Sequence, residues 1–296
     1  MYSGIAPILL SQLQSTNDKV YIPMVIGCLG NFCSEEKCRN YLLTNRVIET
    51  VFVLFNKVRI DCAGSWEYYL NQDIMENCVF LFKNAFTSLR CSSQSRLREL
   101  KAILQIMEKV IAAYPKQVDL HTGVLGDMIQ FALSVIENND LQIGMLVMPI
   151  ISRILSILTE AVVASREGRF DAASNYPTKS ILENFGNICA ENDAYVMQLI
   201  DNGFLSFLNL IYTDPNNDDA LGKLEVLFCW MNVSGGKCSQ VLFDTGLLQP
   251  IVENIVALNP QASDIQFEAA RRSMVILCNF ICECNNNVSV VRGGDF

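Results

Sequence analysis

KLEVLFCWMN, residues 223–232, and its continuation VSGGKCSQVLFDTGLLQPIVENIV to residue 256 decide how the chain is read. The first ten residues predict a buried amphipathic helix ending near Asn232. A small-residue break follows at Ser234-Gly235-Gly236, then a short helix over 239–243, Gly246, and a third apolar helix. The pattern recurs. One unit earlier, ILENFGNICAENDAYVMQLIDNGFLSFLNLI has Asn187 and Gly203 in the places of Asn232 and Gly246, and one unit later VILCNFICECNNNVSVVRGG has Asn279 and Gly293. Near the start, CLGNFCSEEKCRNYLLTNRVIETVFVLF has Asn31, with Asn45 where the others have Gly.

The asparagines Asn187, Asn232 and Asn279 stand 45 and 47 residues apart. The distances from Asn to Gly are 16, 14 and 14 residues. A fixed period of this size, with two or three apolar helices per unit, is the signature of an all-α solenoid of the armadillo or HEAT kind. Gly at the same place in each unit has a local cause, since it ends a helix in the left-handed conformation, and Asn45 is the next best residue for that role.

Composition agrees. With 296 residues, 51% hydrophobic and 18% charged, the chain is too apolar for disorder and long enough to bury a large core. A solenoid grows by stacking, so a single elongated domain over 1–296 is expected. A polar, aromatic insertion near 59–73 and a polar loop near 165–178 interrupt it. The net charge of −9 argues against nucleic acid or an anionic membrane as partner, because both require a basic face. The apolar run 141–164 is broken by Pro149, Arg153 and Glu160, and reads as core helices rather than a membrane span. The twelve Cys show no C-x-x-C spacing, and His121 is the one histidine. The thiols read as small buried hydrophobes in a reducing compartment, with no metal and no cofactor expected.

The phrases CLGNFCSEEKCRNYLL, ENCVFLFKNAF, FGNICAENDAYVMQLIDNGFL and KLEVLFCWMNVSGG resemble successive armadillo repeats of the importin α family, in the family's order. The likeness covers most of the chain and is weakest between about 95 and 180. It implies a right-handed superhelix of about six armadillo repeats, the function of a nuclear import adaptor, and partners with basic Lys/Arg-rich segments. It also implies residence in cytoplasm and nucleus. Importin β is a further partner in the family, but the basic segment that binds it is not found here, nor are the family's first two and last repeats. The expectation is a chain truncated at both ends, or a diverged member.

In that family each repeat presents a Trp and, four residues later, an Asn along a concave groove. Residues i and i+4 share one helical face, so stacked repeats form two ladders. An Asn amide both donates and accepts, and a row of them can hold the backbone of an extended peptide; adjacent aromatic rings attract Lys and Arg. Asn31, Asn84, Asn187, Asn232 and Asn279 match the asparagine ladder. Four residues before them stand Gly27, Phe80, Glu183, Phe228 and Val275, so the Trp ladder is not kept. Phe80 and Phe228 offer a weaker π-face, and Glu183 replaces an Arg of the family. Glu225, seven before Asn232, and Glu183 are candidate carboxylates for a basic peptide or else solvated surface acids. The asparagines are either peptide ligands or stitches between repeats. Trp230, two before Asn232, points away from the ladder and reads as core.

Nothing in the sequence supports catalysis. SGGKCS at 234–239 is not a phosphate loop, G-x-S-x-G and H-E-x-x-H are absent, and the expectation is a non-enzyme. Two readings remain: an importin-α-like adaptor binding basic localisation signals in an Asn-lined groove, or an armadillo interaction scaffold that no longer recognises such signals.

Overall fold

The computed structural model describes residues 4–15, 18, 21–61, 74–87, 89–113, 122–168, 177–215, 217–236, 238–244 and 247–292. Most of the insertion expected near 59–73 and of the loop near 165–178 lies outside them, as do His121, Gly246 and Gly293. No strand occurs among the described residues. The chain divides into two compact units, Met1–Ile154 and Leu155–Phe296.

The first unit holds α1 (Ile5–Ser15), α2 (Tyr21–Cys33), α3 (Glu36–Thr44), α4 (Val47–Asp61), α5 (Ile74–Phe86), α6 (Gln94–Ala113), α7 (Thr122–Asn138) and α8 (Leu141–Gly144). Helix α9 (Met148–Arg166) runs through the division. The second unit continues with α10 (Lys179–Glu191), α11 (Asp193–Asp201), α12 (Phe204–Thr213), α13 (Ala220–Ser234), α14 (Ser239–Asp244), α15 (Leu248–Val256) and α16 (Asp264–Arg292). The three-helix period of the sequence is present, and with the short helix taken first, where the sequence reading began on the Asn-bearing helix, the trios are α3–α4–α5, α11–α12–α13 and α14–α15–α16.

Three of the helix starts are capped by a side chain. Asp140 Oδ1 accepts from Ile143 N at 3.0 Å, Asn192 Oδ1 from Ala194 N at 2.9 Å, and Asp219 Oδ1 from Leu221 N and Gly222 N at 3.1 and 3.0 Å. Pro7, Pro149 and Pro250 all fall in first turns, where the missing N–H has no intrahelical partner to lose. The apolar run 141–164 thus splits into α8 and α9, a pair of helices. Among the described residues α9 is the one helix long and apolar enough to cross a membrane, and 50% of that window is buried in the protein.

The turn between the first two helices of a trio needs one left-handed residue. In the second unit it is Gly203, at φ 87°. In the first unit the expectation of Asn45 is corrected: Asn45 sits at φ −91° and Arg46 at φ 60° takes the left-handed place. Side-chain bonding explains the shift. Asn45 Nδ2 donates to Tyr41 O at 2.8 Å, just as Asn202 Nδ2 donates to Gln198 O at 2.7 Å, so Asn45 corresponds to Asn202 and Arg46 to Gly203.

In the first unit α2, α5 and α7 lie side by side, and in the second α10, α13 and α16 do the same. Phe82 and Phe86 of α5 are fully buried, and Phe86 meets Phe131 of α7 edge-on with centroids 5.7 Å apart. Phe185 of α10 meets Phe204 and Phe207 of α12 at 5.2 and 6.3 Å. Trp230 is fully buried against Tyr212, 5.0 Å away, as core. Helix α13 departs from a one-faced amphipathic helix: Leu224, Glu225, Val226, Leu227, Cys229, Trp230 and Val233 are all buried, because neighbours cover it on several sides.

Candidate functional site

The asparagine-bearing helices α2, α5, α10, α13 and α16 are the third helices of their trios or stand in register with them, and their asparagines fall into a common pattern. Asn84 Nδ2 donates to Gly30 O at 3.1 Å, and Asn232 Nδ2 donates to Gly186 O at 2.8 Å. Each acceptor is the residue just before the Asn of the preceding repeat, Asn31 or Asn187. Asn279 Nδ2 donates to Ser234 Oγ at 3.0 Å, and Ser234 Oγ donates in turn to Met231 O at 2.7 Å. Met231 precedes Asn232, so this rung keeps the register with a hydroxyl between.

These three asparagines therefore stitch repeats together through the amide nitrogen. Their Oδ1 atoms accept no hydrogen bond from a described residue. The side chains of Asn31, exposed on α2, and Asn187, half-buried on α10, make no hydrogen bond to a described residue. A carbonyl oxygen held in place by its own nitrogen's bond is a preorganised acceptor for a peptide N–H.

Glycine permits the close approach on which this rests. A Cβ on Gly30 would come within 2.7 Å of Phe80 Cδ1, and one on Gly186 would collide with the Phe228 ring. Phe80 and Phe228, four residues before their asparagines, thus lie across the preceding Gly-Asn turn of helix, half-buried. Both rings already carry a cation of the chain. Lys83 Nζ stands 5.4 Å from the Phe80 centroid and 2.6 Å from Asp127 Oδ1 on α7. The Arg272 guanidinium of α16 stands 5.5 Å from the Phe228 centroid.

Glu225 is not a solvated surface acid. It is 6% exposed, with Lys179 Nζ 3.9 Å from Oε1 and Arg272 Nη1 3.6 Å from Oε2. Arg272 Nε also donates to Glu268 Oε1 at 2.8 Å. Hydrogen bonds from Arg271 and Arg272 hold the Glu268 carboxyl down at about 2. Glu183 is exposed on α10. Val275 and Gly27, without aromatic rings, occupy the same relative place on α16 and α2.

One rung escaped the sequence. Ser134 of α7 is 9% exposed and its Oγ donates to Phe86 O at 3.4 Å. Phe86 lies two residues beyond Asn84, as Ser234 lies two beyond Asn232, so Ser134 stands where a ladder Asn would stand. Asp127 lies seven before Ser134, matching Glu225 before Asn232 and Arg272 before Asn279. A change of residue type left no periodic signal.

The thiols divide. Cys33 and Cys78 are buried and pushed up to about 12 by desolvation, and burial raises Cys189 and Cys229 as well. Cys28, Cys278 and Cys282 are exposed, which corrects the expectation that nearly all thiols are core residues. No group of three or more His, Cys, Asp or Glu placed to hold a metal occurs among the described residues.

No protein-family model and no curated protein matches the sequence. Solved structures do resemble the fold. A designed armadillo repeat protein superposes with a TM-score of 0.60 at 16% identity, covering 93% of this chain and 99% of its own. A second designed armadillo repeat protein, in complex with the peptide (KR)4, gives the same four values of 0.60, 16%, 93% and 99%. Computationally designed armadillo repeat proteins for modular peptide recognition give 0.56 at 15% identity, covering 92% and 99%. The fold is an all-α armadillo-repeat solenoid.

Proposed function

We propose that the chain is a non-catalytic armadillo adaptor whose units each hold an extended segment of a partner protein along their own asparagine face, Asn31 and Asn84 in the first unit and Asn187, Asn232 and Asn279 in the second. The observation that carries this reading is the register of the amides: Asn84 and Asn232 are each fixed by a nitrogen-to-backbone bond at the equivalent position, at 3.1 and 2.8 Å, with the oxygen left to accept. A structural neighbour of the same fold holds a (KR)4 peptide, and this chain's net charge of −9 suits a basic partner. On the importin α resemblance, the segment is a basic localisation signal and the protein moves between cytoplasm and nucleus.

A second reading, a scaffold without basic-signal recognition, is favoured by one observation. Phe80, Phe228 and Glu225, the groups that would receive Lys or Arg, are engaged by Lys83 and Arg272. Titration of a fluorescent Lys/Arg-rich peptide and of its alanine-substituted counterpart separates the two. The adaptor reading expects saturable binding of the basic peptide only, weakened about fivefold in an Asn31→Ala plus Asn187→Ala variant, which removes one acceptor from each unit, since a neutral hydrogen bond is worth roughly 0.5–1.5 kcal/mol. Equal binding of both peptides supports the scaffold, and no binding of either by a folded protein overturns the peptide face.

A further inference from the structure

We propose that Arg272 is a built-in occupant of the Phe228 rung, holding the ring and carboxylate that a basic side chain of an incoming peptide would otherwise take. The inference rests on the reading that the asparagine face binds extended peptides, and it names what restricts that binding.

The geometry is that of a bound ligand. Arg272 comes from the neighbouring helix α16, its side chain is 15% exposed, and its guanidinium carbon stands over the Phe228 ring, 5.5 Å from the centroid. Two nitrogens of the fork are used: Nε on Glu268 Oε1 at 2.8 Å, and Nη1 on Leu224 O and 3.6 Å from buried Glu225 Oε2. Arg272 and Glu225 occupy the same rung of successive repeats, each seven residues before its Asn, with opposite charge. The pair satisfies itself. A peptide Lys or Arg reaching this rung meets a ring whose π-face is covered and a carboxylate whose charge is neutralised, and it must displace a cation already desolvated there. In the first unit Lys83 over Phe80, paired with Asp127 at 2.6 Å, also puts a cation of the chain on the ring, with the helices reversed: the cation comes from the ring's own helix and the carboxylate from its neighbour.

Arg272→Ala uncovers Phe228 and leaves Glu225 with Lys179, 3.9 Å away, as its remaining cation. Glu268→Ala removes the carboxylate that anchors Arg272 Nε while leaving the Glu225 pair, and it serves as the milder variant should Arg272→Ala fail to fold. The test titrates fluorescent (KR)4 onto the wild-type chain, both variants, and Arg272→Ala with Glu225→Gln, each checked for helicity by circular dichroism. Arg272→Ala is expected to bind (KR)4 about tenfold tighter than wild type, and Glu268→Ala about threefold tighter, on the scale of one cation–π contact and one charged pair. Adding Glu225→Gln returns the affinity to near wild type. Gains in the folded variants support the proposal even if the wild type binds nothing. Wild-type binding with no gain in any folded variant overturns the proposal and leaves the peptide-face reading standing. No binding by wild type or variants overturns both.

Discussion

Arg46 carries a positive φ of 60° at a turn where the second unit uses Gly203 at 87°. An L-residue there costs roughly 1–2 kcal/mol, and its ion pair with Glu49, 3.5 Å away on the exposed surface, returns little. Arg46→Gly is therefore expected to raise stability by up to about 1 kcal/mol after the entropy glycine adds to the unfolded chain, read as a higher urea midpoint with unchanged slope. Glu268 gives a pH signature. Its carboxyl falls from an ordinary 4.5 to about 2 because Arg271 and Arg272 hydrogen-bond the charged form. A depressed carboxylate stabilises the fold above its unfolded value and loses that contribution as pH falls through the folded one. Glu268→Gln should be less stable than wild type above about pH 5, with the difference closing as the pH falls towards 2, as checked by urea denaturation across that range. The sequence pointed to Gly203 but placed the first-unit turn one residue early, because Asn is the better left-handed residue by propensity. Only the bond from Asn45 to Tyr41 O fixes the register.

Within the helices, the asparagines have two kinds of environment that spacing alone does not separate. Asn232 is bonded across to Gly186 O, so Asn232→Ala strands a carbonyl and should cost about 1–3 kcal/mol, whereas Asn187→Ala, with no such bond, should cost under about 0.5 kcal/mol; thermal or chemical denaturation of the two variants checks this. If both cost the same, the stitching role is wrong. Cysteine placement follows helix faces in the same way. Alkylation of the native protein followed by mass spectrometry should label Cys28, Cys278 and Cys282 and spare Cys78, Cys189 and Cys229. The trio of helices, the asparagines and the buried Trp230 were all legible as period and apolar pattern. The engagement of Glu225 and Phe228 by Arg272 was not, because it joins residues 47 and 44 positions apart whose charges carry no period. Ser134 was hidden for the same reason, since a hydroxyl replaces the amide on that rung.

At the scale of the molecule, the fold is one whose stacked helices present side chains at a fixed spacing, which suits a partner that is itself repetitive along its backbone. Within each unit the account places that partner on the asparagine-bearing helices, α2 and α5 in the first and α10, α13 and α16 in the second. The most direct measurement is photo-crosslinking of a Lys/Arg-rich peptide carrying a benzophenone group to the Arg272→Ala protein and the wild type, with adducts located by mass spectrometry. The account predicts adducts on residues beside Asn187 and Asn232 of the second unit, suppressed by excess unlabelled peptide. Adducts confined to the helices α1, α4, α6 or α15, or insensitive to competition, would contradict it.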